Sequence, residues 1–293
     1  MKREIQYYLV LVFLFCSITS FIVAFTGRET SNLAIPLGLF TMMSPLISVV
    51  ITYRLGRFRR DMIQNKWKFF SIKGILIAIF IPVIVCNFFL LTVVYIKYGG
   101  IPFSNWLLNN SETINPPIEM NIGESLTISQ FIFKITIKLF VGILILSIFT
   151  FGEEFGWRLF LQNYLEAEYG VVKSIVLTSS FWAIWHIPFS LSGIHFIPEI
   201  SKWALSIIMP LGVFGLGLFI CSLYAKYKSI WIVVFAHAAQ NNWSQFFAKW
   251  FLNLPNDFNT TLLISMNTGL VMLGILSVYL ISKQEGKLFP NSV

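Results

Sequence analysis

The stretch LFVGILILSIFTFGEEFGWRLFL, residues 139–161, carries no charge except Glu153, Glu154 and Arg158. Its length suits a membrane crossing, which takes about 20 apolar residues. A charge at the bilayer centre costs roughly 2.5–3.5 kcal/mol even on the lenient insertion scales. Three ionisable side chains so close together in one span therefore read as groups the protein uses.

The rest of the chain supports a membrane setting. Of 293 residues, 56% are hydrophobic and 12% are Asp, Glu, Lys or Arg. A soluble domain carries about 25% charged residues. The fold class that follows is all-α, a polytopic transmembrane helical bundle. Composition does not establish a second, soluble domain, and no stretch outside the spans looks long enough to bury a core of its own. The net charge of +8 comes from basic residues at span ends. With no basic stripe on a polar surface, nucleic acid is excluded as a partner. Cys16, Cys86 and Cys221 all fall in apolar segments, and an odd number of such thiols argues against a disulfide framework. The first span follows Met1-Lys2-Arg3 and lacks a small-x-small cleavage site. It is expected to be a retained helix and not a signal peptide.

Eight segments are expected to span: about 6–26, 33–53, 74–96, 139–161, 172–191, 204–224, 229–248 and 262–282. Arg54, Arg57, Arg59, Arg60, Lys66, Lys68 and Lys73 crowd the connection between the second and third. Lys2 and Arg3, Lys226 and Lys228, and Lys283 and Lys287 fall on the same side of an eight-span topology. By the positive-inside rule that side, with both termini, is cytoplasmic. Residues 98–125 form the longest external loop, where Trp106 is expected at the interface. A hydropathy window alone would run the fourth span from about residue 126 to 151. Lys134 and Lys138, one turn apart, instead suit the outer headgroups and favour the frame 139–161. In that frame Glu153 lies about 12 Å from the cytoplasmic end.

Two of the three histidines lie in other spans, His186 in the fifth and His237 in the seventh; His195 falls in an external loop. Counted from their cytoplasmic ends, His237 lies about 14 Å deep and His186 about 20 Å. Asn241 sits one turn beyond His237 on the same face. Taken singly, these residues have structural explanations. Glu154 and Arg158 are spaced for an i,i+4 ion pair. A lone intramembrane histidine packs and hydrogen-bonds, and His237 with Asn241 can serve as interhelical polar glue. Together, at similar depth, they read as a site.

Such a site can activate water, since a carboxylate in an apolar setting is a better base near neutral pH. Arg158 is assigned to Glu154, which leaves Glu153 for chemistry. Glu153, His186 and His237 also make a donor set for Zn2+ or another divalent metal. Alternatively, Asn241 and a histidine donate to a developing oxyanion. Either arrangement points to hydrolysis of a carbonyl compound, a peptide bond above all. The H-E-x-x-H signature is absent, and no Ser or Cys adjoins a His as a nucleophile needs. Glu153 is expected to approach both His186 and His237.

Glu153-Glu154-x-x-x-Arg158, Trp182-x-x-x-His186 and His237-x-x-x-Asn241, in that order on three spans, resemble the CPBP family. These are the CAAX-protease and bacteriocin-processing intramembrane endopeptidases, also called the Abi or type II CAAX prenyl endopeptidase family. The resemblance covers about residues 139–243. It departs at Trp182, where the family has Phe; aromatic packing is expected to survive the exchange. The resemblance implies a bundle of about eight spans with a cavity opening to the cytosol. It implies that Glu153 activates water with help from His186, and that Glu154 and Arg158 organise the site. His237 and Asn241 would then complete a metal site or an oxyanion hole, and both metal-dependent and metal-free mechanisms stay open. The substrate class it implies is a membrane peptide or lipidated protein. The domain organisation expected is an N-terminal unit 1–138, a catalytic core 139–248 and a C-terminal span and tail 249–293. Short loops and a composition rich in Ile, Phe, Lys and Asn suit a bacterial cytoplasmic membrane. The rival function is a non-catalytic one on the same fold, such as bacteriocin self-immunity. A transporter is disfavoured because no internal repeat is visible.

Overall fold

In the computed structural model the described residues are 3–26, 33–55, 71–98, 113–114, 123, 125–193, 200–251 and 258–288. The readings made for Lys2, Arg57, Arg59, Arg60, Lys66, Lys68, Trp106 and His195 lie outside them, as does most of the loop 98–125. The Lys287 side chain lies outside them too.

The chain folds as helices: α1 (Arg3–Thr26), α2 (Ala34–Arg54), α3 (Ile72–Tyr98), α4 (Ile128–Glu154), α5 (Asn163–Tyr169), α6 (Val171–Leu191), α7 (Lys202–Tyr227), α8 (Ile230–Phe251) and α9 (Phe258–Leu288). A π-helical segment, Phe155–Gln162, joins α4 to α5. Thr113–Ile114 pairs antiparallel with Leu126–Thr127 just before α4. Among the described residues, seven helices are long and apolar enough to cross a membrane. Seven of the eight expected spans coincide with these helices, in α1, α2, α3, α4 with its continuation, α6, α7 and α9; the expected span 229–248 folds as α8, which is not among the seven. The protein is an all-α membrane bundle.

The fourth span differs from expectation in its start. Thr127 caps α4 with a reciprocal box: its hydroxyl accepts from the Gln130 N–H at 3.3 Å, and the Gln130 amide oxygen accepts from the Thr127 N–H at 3.0 Å. These bonds satisfy helix-end donors and set the beginning well before residue 139. The helix then runs unbroken through Tyr169, 42 residues in all. At 1.5 Å per residue that is about 60 Å, twice the hydrocarbon core. Both frames, the hydropathic and the lysine-anchored, lie within this one rod. Gly170, with φ +80°, ends it and opens α6.

α7 lies between α6 and α9 and is the most buried of the apolar helices. A Cβ on Gly215 would stand 2.5–2.6 Å from the Leu270–Val271 backbone of α9, so only glycine admits this approach. Lys228, in the left-handed region at φ +49°, ends α7 and donates to both Glu166 carboxylate oxygens at 2.6 and 2.7 Å. That pair ties α5 to the α7–α8 corner. Around the bundle, Phe21, Ile35, Phe88, Ile148 and Trp203 point outward. An apolar girdle of this kind requires lipid.

Candidate active site

Two glycines bracket the glutamates. A Cβ on Gly152 would come within 3.1 Å of the Met42 carbonyl oxygen and the Met43 Cα of α2. One on Gly156 would collide with Pro45 and lie 2.6 Å from the Tyr8 hydroxyl of α1. Spaced four apart, they share one helix face. The close packing they permit is the small-xxx-small mode of membrane helices. Sequence reading missed this feature, although Gly152-x-x-x-Gly156 was its signal. The π-helical segment begins directly after Glu154; such segments are rare and recur at functional sites.

Glu154 is fully buried and its Oε1 accepts two bonds. Arg158 Nη1 donates to it at 2.9 Å and His237 Nδ1 at 2.8 Å. A carboxylate oxygen accepts, so the His237 proton on this side sits on Nδ1. Arg158 is equally buried, and its Nε and Nη2 have no hydrogen-bond partner, nor has Glu154 Oε2. Its guanidinium lies over the Trp182 ring, with Cζ 4.2 Å from the centroid.

Glu153, 3% exposed, has a different partner. Trp182 Nε1 donates to its Oε2 at 2.9 Å. The Trp182 ring also meets both histidines edge to face, with centroids 5.1 Å from His237 and 5.5 Å from His186. His186 Nδ1 lies 2.8 Å from the Trp182 carbonyl oxygen. A carbonyl only accepts, so the His186 nitrogen facing it, Nδ1, carries a proton.

The structure thus brings five of the six sequence-identified residues into one buried network, with Trp182 as a connection that sequence reading had treated as packing alone. The expected Arg158–Glu154 pair is present. The expected His237 contact is to Glu154 and not to Glu153, because Oε1 of Glu154 collects both basic donors while the indole takes Glu153. His186 joins Glu153 through Trp182. Asn241, half-buried, stands one turn beyond His237, and its backbone carbonyl accepts from Ser244 Oγ at 3.1 Å. Thr150 Oγ1 fixes α4 to α8 through the Val234 carbonyl at 3.3 Å.

The depth of the site follows from the shorter helices around it. Tyr8, His237, Pro45 and Met43 lie about 8–16 Å along their helices from the end marked by Arg3, Arg54 and Lys228. Four of the six residues are buried, whereas His186 and Asn241 are half-buried and form the accessible edge.

Glu153, His186 and His237 are the donor set that the sequence offers a divalent metal. Among the described residues, no group of three or more His, Cys, Asp or Glu side chains is arranged to hold a metal ion. Both histidines hydrogen-bond through Nδ1, the kind of bond that orients an imidazole ligating through Nε2, and Glu153 Oε2 is held by the indole.

An apolar girdle enclosing a buried cluster of ionisable side chains defines a polytopic membrane protein. The family model for type II CAAX prenyl endopeptidase, Rce1-like, matches residues 135–243, a segment that contains all six site residues. The match supports the CPBP, or CAAX-protease, family that the motifs resemble, and with it an intramembrane endopeptidase activity in general. No curated protein matches the chain.

Proposed function

We propose that the protein is an endopeptidase that hydrolyses a peptide bond of a membrane-associated or lipidated peptide, with Glu153 as the base that activates water. The observation that carries this reading is the division of the two glutamates. Glu154 is saturated by Arg158 and His237 on one oxygen, whereas Glu153 is held only at Oε2, by a neutral indole.

In this reading a water enters at the half-buried edge, beside His186 and Asn241. Glu153 takes its proton through Oε1 while His186 Nε2 orients it. The hydroxide oxygen bonds to the substrate carbonyl carbon. The Asn241 amide N–H groups donate to the oxyanion, and so does His237 when protonated, its charge answered by Glu154. As the C–N bond breaks, Glu153 passes its proton to the leaving nitrogen, and the water oxygen stays in the new carboxyl group. The protein works in the cytoplasmic membrane of a bacterium, a placement supported by its short loops and composition.

The test is cleavage of a quenched-fluorescent membrane peptide by purified protein. Glu153→Ala and His186→Ala should each lower kcat/KM at least about a hundredfold, the scale of a lost general base. Equal turnover by all three proteins would overturn Glu153 as the base, and turnover by none of them would leave a non-catalytic binding role on the same fold.

A further inference from the structure

Trp182 is 1% exposed and contacts four of the six site residues: Glu153 through Nε1–H, Arg158 through its face, and both histidines in T-shaped ring contacts. Packing alone asks for none of the polar part of this. Arg158 is buried beside two carboxylates and has two donor atoms, Nε and Nη2, without a partner. Nothing in the spacing of the sequence stops such a guanidinium from pairing with Glu153 as well. The indole stands in the way twice: its face holds the guanidinium by a cation–π contact, and its N–H occupies Glu153 Oε2.

We infer that Trp182 is a positioning residue for hydrolysis: its indole N–H pins the Glu153 carboxylate by Oε2, turns Oε1 to the water, and keeps Arg158 on Glu154. The inference rests on the reading of Glu153 as the base. A carboxylate turns freely about its last bond, so a single fixed donor selects which oxygen receives the proton. The bond from His186 to residue 182 runs to the main-chain carbonyl. A side-chain change at this position therefore leaves the His186 hydrogen bond in place and isolates the effect on Glu153.

The test replaces Trp182 with β-(3-benzothienyl)alanine by nonsense suppression. Sulfur then stands where the N–H was, with the shape and the aromatic face retained. In the full-length protein and the same peptide assay, kcat should fall about tenfold to a hundredfold, as for a lost hydrogen bond to a charged group. KM should stay at its wild-type value. Wild-type kcat in this analogue would overturn the inference. Glu153→Gln, run alongside, separates the two claims. An active Glu153→Gln enzyme sinks the base reading itself, whereas an inactive one beside a fully active analogue sinks only the positioning role. A second readout needs no substrate. In 15N-tryptophan-labelled protein, the indole resonance lost in Trp182→Phe should be the one displaced by Glu153→Ala. If Glu153→Ala leaves that resonance where it was, the contact does not exist in the working protein.

Discussion

His237 donates through Nδ1 to Glu154, at 2.8 Å, and shares the accepting oxygen with Arg158. This relationship makes adjacent glutamates unlike in kind. One accepts both basic donors on a single oxygen, and the other accepts one hydrogen bond, from the Trp182 indole.

The first consequence is that conservative changes at the two positions should separate. Glu153→Gln keeps an oxygen for the indole, so its stability should stay within about 1 kcal/mol of wild type while turnover is lost. Glu154→Gln removes the charge that answers Arg158 and should destabilise by about 3–5 kcal/mol, the cost of an uncompensated buried charge. Thermal unfolding in detergent, measured beside peptide cleavage, distinguishes the two. Equal loss of stability in both variants would remove the distinction.

Arg158 provides a second test. Both it and Glu154 are wholly buried. Arg158→Met leaves Glu154 buried without its strongest partner and should lower the unfolding temperature sharply. The double variant Glu154→Gln/Arg158→Met should recover much of that loss, because well-packed neutral groups often match a buried ion pair in stability. A double variant less stable than either single one would mean that the pair contributes through something other than mutual charge compensation.

Metal removal is a third. With no three-donor cluster among the described residues, exhaustive chelation should leave cleavage at its original rate. Loss of activity on chelation, restored by Zn2+ alone, would show that the side chains rearrange to bind a metal when substrate or ion arrives.

The close approach of α4 to α2 is testable by volume alone. Gly156→Ala places a methyl group against Pro45 and the Tyr8 hydroxyl. Overpacking of this kind costs about 1–3 kcal/mol. It should also reduce turnover, because the strain falls one turn from Glu153 and Glu154. The same change at Gly170, where a Cβ would meet nothing within 4 Å but φ is +80°, should affect stability without touching the reaction rate. Normal stability in Gly156→Ala would show that α1 and α2 yield readily at this point.

Much of the molecule was legible because membrane helices are selected by solvent. Runs such as residues 74–96 and 204–224 have no alternative but to span, and α3 and α7 fall where those runs are. The Arg158–Glu154 pair was legible for a local reason, since i,i+4 neighbours on one helix meet whatever surrounds them. The start of the fourth span was less legible. The lysines at 134 and 138 suggested an anchor, but the capping box at Thr127 and Gln130 carries the helix through them. Trp182 was read as an aromatic filler because a sequence shows a ring and not the direction of its N–H.

By itself, the sequence determined an all-helical membrane bundle, the helices that carry polar groups, and the approximate depth at which those groups meet. Hydropathy and helical rise decide these, and both are properties of one segment at a time. The tertiary structure alone decided that His237 belongs to Glu154 and Trp182 to Glu153. Adjacent residues on a helix point about 100° apart. Which of them faces α6 and which faces α8 therefore depends on the rotation of α4 about its axis. That rotation is set by the contact of Gly152 and Gly156 with α2 and α1 and by the π-helical turn that follows Glu154. These are packing contacts between segments more than a hundred residues apart in some cases, such as Tyr8 and Trp157, and no spacing rule within a single span encodes them.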